Sequence, residues 1–227
     1  MSTGRKRSVK RKHTVFVIDD HPIVREGLTQ LINRESDLSV CGVAEDAYGA
    51  VKSMEVLKPD IAVADISLKG TDGIELIKNL KTRIPGLPVL VLSIHDETLY
   101  APRALRAGAK GYIMKQEATE NVLVAVRRVL SGQVYLSDRM ANKMLQQFIG
   151  SGQTSLKLPI DTLSDRELEV FRLIGQGHGT RRIAGELHLS VKTVESHREH
   201  IKEKMILGDA SELVQHAIEW VQREKST

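Results

Sequence analysis

From residue 14 to about residue 132 the chain alternates short apolar runs with helix-period patterns. This alternation limits the fold more than any other feature. The runs are TVFVI (14–18), LSVCGVA (38–44), DIAVA (60–64), PVLVL (88–92) and KGYIM (110–114). They are short, β-branched and mostly continuous, which suits parallel strands covered on both faces. Between them, Ile23, Val24, Gly27, Leu28, Leu31 and Ile32 share one face of a helix over 23–32. Ile74, Leu76, Ile77 and Leu80 do the same over 73–80, and Val122, Leu123, Val126, Val129 and Leu130 over 117–131. Five strand–helix units in series predict an α/β fold built on a doubly wound parallel sheet.

Beyond residue 132 the pattern changes. A short helix fits 138–148, and GSGQTS (150–155) with LPI (158–160) reads as linker. From residue 163 onward there is no strand pattern. Ser164 and Glu167 form a capping box ahead of the apolar face Leu168, Phe171 and Ile174, and Gly175 and Gly177 end that helix. A second helix fits 181–187. The turn HLS (188–190) follows, with Ser190 as N-cap of a long helix over 191–205 whose Val194, Ile201 and Met205 face inward. A fourth helix fits 210–223. The result is a small all-α four-helix domain whose middle pair has helix-turn-helix spacing.

The length of 227 residues accommodates one large domain or two modest ones, and 41% hydrophobic content is enough to build cores. The single cysteine, Cys41, rules out an internal disulfide and fits a reducing compartment, with a buried spectator thiol as its role. No apolar run approaches the roughly 18 to 20 residues of a membrane span, and the basic N-terminus lacks the apolar stretch of a signal peptide. These features predict a soluble, cytoplasmic protein with no membrane partner. The net charge of +4 is concentrated at one end. Residues 1–13 hold six bases (Arg5, Lys6, Arg7, Lys10, Arg11, Lys12) and no acid, so the remainder carries −2. Residues 1–13 read as a disordered basic arm.

In an open α/β sheet, ligands bind at the carboxyl ends of the strands. Strand one runs into Asp19 and Asp20, strand three into Asp65, strand four into Ser93 and strand five into Lys115. A lone Asp-Asp at a strand end also serves as a turn and helix cap, and Asp20 before His21-Pro22 could act that way. Four chemically apt tips together point to a site. Three carboxylates in close quarters repel one another, and a divalent cation removes the conflict. Oxygen donors with open positions suit Mg²⁺. Asp65 can then act as nucleophile toward a phosphoryl group, forming an aspartyl-phosphate. Lys115 would pair with one phosphoryl oxygen and the Ser93 hydroxyl with another.

The stretches IDDHPIVREGL, the Gly-x-Asp-Gly turn (70–73) after Asp65, LSIHDE (92–97) and RALRAGAKGYIMK (103–115) resemble the receiver domain of bacterial response regulators of the NarL/FixJ type. The resemblance implies a (βα)5 receiver over 14–135, then a linker with a short helix over 136–160. It implies that Asp65 is the phosphoacceptor and that a sensor histidine kinase is the phosphodonor. Asp19 and Asp20 match the metal-binding pair, and the backbone carbonyl of Ser67 matches the remaining protein ligand to Mg²⁺. Lys115 matches the invariant lysine, Ser93 the switch hydroxyl and Tyr112 the switch aromatic. One position departs from the family pattern: Lys69 stands where proline is usual. This predicts altered metal affinity or phosphoryl lifetime. The implied protein assists its own phosphorylation and dephosphorylation and is not a turnover enzyme.

Residues 162–205 resemble the LuxR-type helix-turn-helix through Leu163-Ser164-x-Arg166-Glu167, Gly177, Ile183-Ala184, Leu187, Ser190, Thr193-Val194, His197 and Lys204. The resemblance implies a DNA-binding domain over 161–227 whose helix 191–205 enters the major groove of double-stranded DNA. Lys192, Thr193, Ser196, Arg198 and Lys202 fall on or near the outer side, suited to phosphates and base edges. Thr180, Arg181 and Arg182 would hold the backbone. Against this stand Glu195, Glu199 and Glu203, and the region has ten Lys/Arg against twelve Asp/Glu. Modest monomer affinity predicts a homodimer on paired half-sites when phosphorylated. His178, His188, His197 and His200 have no Cys or carboxylate at zinc-finger spacing, so no zinc is expected.

Two other functions compete. A metal-dependent phosphatase using Asp65 would need a second carboxylate two residues on, where Ser67 stands. A constitutive DNA binder with an inert receiver rests on Lys69 alone.

Overall fold

The computed structural model describes residues 11–68, 73–150 and 159–225. Most of the basic arm, the linker over 151–158, Lys69 and most of the Gly-x-Asp-Gly turn lie outside the described residues. The chain forms two compact units that divide between Leu145 and Gln146.

The first unit alternates β1 (His13–Ile18), α1 (Pro22–Asn33), β2 (Leu38–Ala44), α2 (Ala47–Leu57), β3 (Ile61–Ala64), α3 (Gly73–Arg83), β4 (Val89–Ser93), α4 (Glu97–Ala107), β5 (Gly111–Met114) and α5 (Ala118–Leu130). All five strands are parallel, in the order β2-β1-β3-β4-β5. Every residue of β3 and β4, and the last four of β1, is buried. Val15, Val17, Val63, Leu90 and Leu92 pack with Leu28, Ile32, Val122 and Val126 on the face that α1 and α5 cover. The alternate side chains, Phe16 and Ile18 among them, point to the other face and are fully buried as well.

Helix α1 buries Leu28 and Ile32, with Val24 and Leu31 packed beside them. Ile23 and Gly27 leave the predicted face: Ile23 is 85% exposed and Gly27 is open to solvent. At 3.6 residues per turn both positions fall on the flank of the Val24–Leu28–Leu31 line, so they clear the sheet.

After α5 the chain returns to the sheet edge. Tyr112 N donates to the Tyr135 carbonyl at 2.9 Å, and Tyr135 N to that of Lys110 at 3.0 Å. Helix α6 (Asp138–Gly150) follows, with Met140 buried. The Ser137 amide and hydroxyl both donate to the buried carboxylate of Glu97.

The second unit contains α7 (Asp165–Gly175), α8 (Thr180–Glu186), α9 (Val191–Met205) and α10 (Ala210–Lys225). The capping box is present: Ser164 Oγ accepts from Glu167 N and Ser164 N donates to Glu167 Oε2. Its core gathers Leu168, Phe171, Ile174, Ile183, Val194, Ile201, Leu213 and Ala217. Gly175 has a packing reason: a Cβ there would stand 2.2 Å from the Ala217 carbonyl oxygen, where α7 meets α10. None of the described helices is long and apolar enough to cross a membrane.

Candidate functional site

Strand register brings the first set of residues together. Ile18 pairs with Ala64, and Ala64 with Val91, so β1, β3 and β4 end nearly level. Asp65 N donates to the Ile18 carbonyl at 2.8 Å, which places Asp65 beside Asp19. Ser93 is the last residue of β4 and pairs with Met114, so Lys115 starts just past the same rim. A single turn of 3-10 helix over Lys115–Glu117 then carries the chain into α5.

Apolar strands pull these tips out of water. Asp19 and Asp65 are each 1% exposed, Asp20 is 9% exposed and Ser93 is fully buried. Lys115 Nζ lies 2.8 Å from Asp65 Oδ2 and 2.6 Å from Asp19 Oδ2, bridging two carboxylates. Burial lifts the Asp65 carboxyl above the ordinary carboxylate range, against the pull of Lys115. Burial works against the Lys115 charge too, but Asp65 and Asp19 outweigh it and hold the amine above its usual value.

One ammonium does not satisfy three carboxylates. Asp19 Oδ2 is buried and met only by Lys115, which it shares with Asp65, and Asp20 Oδ1 is buried and met only by His21 Nδ1. One ammonium shared among three buried carboxylates leaves net negative charge out of water, which is costly unless a further cation offsets it. Asp19, Asp20, His21 and Asp65 each offer a ligand atom, all within 4.8 Å of one another. The donor set therefore fits a hard divalent cation.

The sequence reading did not single out two histidines at this rim. His21 Nδ1 stands 2.7 Å from Asp20 Oδ1 and 3.2 Å from Asp19 Oδ1, while its amide donates to Asp19 Oδ1. His95 Nε2 meets Ser67 Oγ at 2.9 Å, its amide donates to Ser93 Oγ at 3.1 Å and its ring stacks on Tyr100. The signal for His95 was its place two residues past Ser93, on the loop leaving the rim. Ser67 N donates to Asp65 Oδ1 at 2.9 Å, and no carboxylate occupies that position. Tyr112 is fully buried and its hydroxyl donates to the His95 carbonyl at 2.9 Å. Burial, the chief influence, pushes the Tyr112 phenol upward. The aromatic ring already points inward.

In the second unit, α8 and α9 form the helix pair. Ser190 Oγ caps α9 by accepting from Thr193 N at 3.0 Å. Arg166 holds the turn between them: its guanidinium donates to the Leu187 carbonyl at 2.8 Å and pairs with Glu169 at 2.6 Å. Val194 and Ile201 are buried, which turns Lys192 and Ser196 outward. Thr193 is half-buried at the cap. Arg198 and Lys202 lie on the flank, half-buried; Arg198 lines a groove with Ser211, Val214 and Ile218 of α10, and Lys202 pairs with Glu199 at 2.8 Å. On α8, Thr180 is half-buried and Arg181 exposed, whereas Arg182 pairs with Glu186 at 3.0 Å.

Known proteins share both halves. The family described as "Response regulator receiver domain" matches residues 15–127, and "Bacterial regulatory proteins, luxR family" matches residues 161–217. The oxygen regulatory protein NreC of Staphylococcus epidermidis is 34% identical over 209 residues, spanning 90% of this chain and 96% of that one. NreC of Staphylococcus carnosus is 35% identical over 208 residues, with the same shares. A LuxR-family two-component response regulator from Aurantimonas sp. SI85-9A1 superposes with a TM-score of 0.57 at 30% identity, over 61% of this chain and 99% of that one. RcsB from Salmonella enterica serovar Typhimurium, bound to promoter rprA in the presence of the phosphomimetic BeF3-, superposes with a TM-score of 0.58 at 25% identity, over 91% and 98%.

An acidic pocket at the ends of a five-stranded parallel sheet, followed by a helix-turn-helix unit, defines the class of two-component response regulators. Within that class the chain belongs to the NarL/FixJ-type family, with a LuxR-type DNA-binding domain and a role in transcription regulation.

Proposed function

We propose that a sensor histidine kinase transfers a phosphoryl group to Asp65, and that this switches sequence-specific DNA binding by the α8–α9 pair. The observation that carries the reading is three buried carboxylates at one rim with a single ammonium, Lys115, bridging Asp65 and Asp19. Asp19, Asp20, Asp65 and the Ser67 carbonyl would hold Mg²⁺. When bound, that ion would neutralise the pocket and offset the charge of the incoming phosphoryl group. Asp65 supplies the attacking carboxylate oxygen. Lys115 then exchanges its Asp65 contact for a phosphoryl oxygen, and the Ser93 hydroxyl takes another. The modification adds roughly 1.5 to 2 negative charges at one point. Ser93 Oγ accepts from the His95 amide, so a Ser93 that turns toward the phosphoryl group pulls on the β4–α4 loop and on the Tyr112 hydroxyl that bonds it.

We assign residues 14–135 to the receiver, 136–160 to the connection and 161–227 to the DNA-binding domain. Lys192, Thr193, Ser196, Arg198 and Lys202 would face DNA, with Thr180, Arg181 and Arg182 on its backbone. The solved relative RcsB was captured as dimers on DNA, which supports a homodimer here when phosphorylated. The reading places the protein in the cytoplasm, where kinase and DNA are both available.

Incubation with a small-molecule phosphodonor and Mg²⁺ tests this, followed by DNA selection with labelled and unlabelled protein. A stable covalent label at Asp65 and tighter DNA binding after labelling are expected. Rapid turnover of the donor would indicate a phosphatase. No label, with unchanged DNA binding, would indicate an unswitched binder.

A further inference from the structure

Of the five histidines in the second unit, His178, His188, His197 and His200 have no metal partner at zinc-finger spacing, but folding supplies one for two of them. His197 and His200 are three residues apart on α9, and so share one flank of that helix. That flank faces the first turn of α7, where Glu167 is 3% exposed. One ligand atom from each of Glu167, His197 and His200 lies within 4.8 Å of the others. His200 Nδ1 stands 3.8 Å from Glu167 Oε1. Ligand atoms on a tetrahedral zinc ion sit about 3.4 Å apart, given metal–ligand bonds near 2.1 Å. Small side-chain rotations therefore suffice.

The carboxylate is presented in a fixed way. Ser164 N and Lys204 Nζ both donate to Oε2, at 2.7 and 2.6 Å, and Oε1 faces His200. Burial, the largest influence, works against the Glu167 charge, but the Lys204 and Ser164 hydrogen bonds outweigh it and keep the acid ionised. Burial also holds His197 below the ordinary histidine range. Lys204 and Arg166 bring positive charge close by and weaken cation binding; Glu169 partly offsets them.

We propose that Glu167, His197 and His200 form a site for a divalent transition-metal ion of the zinc type, clamping α9 to α7. Two imidazoles with one carboxylate select such ions over Mg²⁺ or Ca²⁺, and water would complete the fourth position. The ion would tie the helix that carries Lys192 and Ser196 to its own scaffold, linking the stability of this unit to zinc supply. The inference does not depend on the acidic pocket.

Cobalt(II) titration of the full chain tests it, because tetrahedral Co²⁺ absorbs visible light far more strongly than Co²⁺ among carboxylates and water. The wild type and Asp20→Asn should both develop the strong band. His200→Ala changes a side chain that is 58% exposed, so circular dichroism should show the fold unchanged. It should weaken Co²⁺ binding by more than about tenfold, since even indirect partners of a metal ligand are worth that much. Zn²⁺ should raise the unfolding temperature of the second unit in the wild type and not in His200→Ala. Absence of the band from the wild type, its persistence in His200→Ala, or its loss in Asp20→Asn alone would overturn the site.

Discussion

The two units hold charge in opposite ways. The first draws three carboxylates and a lysine to neighbouring strand ends and removes them from water; Asp19 and Asp65 are each 1% exposed. The second carries most of its described charge on exposed or half-buried helix surface, with Glu167 and Glu169 as buried exceptions, and residues 161–227 hold twelve acids against ten bases. Buried charges interact strongly because little water screens them, while exposed charges are screened within about 10 Å at moderate salt. The first unit should therefore depend on single atoms. The second should respond in small, graded steps.

The largest test of that contrast is Asp65→Asn. It removes one nucleophilic oxygen and should reduce phosphoryl labelling to background, while no single change on the outer face of α9 should abolish DNA binding. Labelling that survives the change would move the chemistry to another carboxylate. The same variant should raise the unfolding midpoint of the first unit at pH 7, because burial lifts the Asp65 pKa. The sign follows from linkage: a raised folded-state pKa favours folding when the group is protonated and opposes it once pH rises past that value. The gain should thus fade as pH falls through the raised Asp65 pKa and be gone once pH is below the ordinary aspartate range.

The next largest effect falls on packing in the second unit. Ile201 is fully buried on the inner face of α9, so Ile201→Ala should cost about 2 to 5 kcal/mol in that unit's unfolding and leave labelling of Asp65 unchanged. Lys192→Ala should do far less: a loss of about 1 kcal/mol in DNA affinity at low salt, with the salt slope reduced by about one. A tenfold larger loss from Lys192 alone would mean that one exposed charge behaves like a buried one.

How much of this was readable in the sequence follows from the same contrast. The rim was legible because strand ends converge by topology: runs that bury both faces force Asp19, Asp65 and Lys115 to one edge whatever the side-chain details. Helix α4 has no strong apolar face to read, and the Ala50–Val51–Met54 face of α2 is blurred by exposed Tyr48 and Val56. In α2, Tyr48 and Val56 are exposed while Ala50 and Met54 are buried, and α4 packs through Tyr100, Ala101 and Ala104 around an internal Pro102. Alanine lines carry little periodic signal. In α1 apolar identity and burial part company at Ile23, which is 85% exposed although it borders the Val24–Leu28–Leu31 line. The Glu167–His197–His200 cluster was invisible because its carboxylate comes from another helix, thirty residues upstream of His197. Individual DNA contacts depend on ion pairs such as Arg182–Glu186 and Lys202–Glu199, which only the folded helix pair decides.

The smallest expected effect sharpens the contrast most, because it asks whether the unit or the exposure matters. Arg127 on α5 reaches the α1–β2 connection, donating to Asp37 Oδ2 at 2.9 Å and Oδ1 at 2.8 Å and to Glu35 Oε2 at 2.5 Å. The Arg127 hydrogen bonds pull the Asp37 pKa down to about 2. A depressed acid stabilises the fold above its unfolded pKa, near 3.9, and that contribution disappears as pH falls toward 2. The Asp37 and Arg127 side chains are 46% and 42% exposed, so screening discounts the shift heavily. Arg127→Met should cost under about 1 kcal/mol at pH 7 and low salt, and almost nothing in high salt. A larger, salt-independent loss would show that a bidentate pair on the surface of the first unit acts as the buried pocket does. A small, salt-sensitive loss would place the line between the two behaviours at the water boundary rather than between the units.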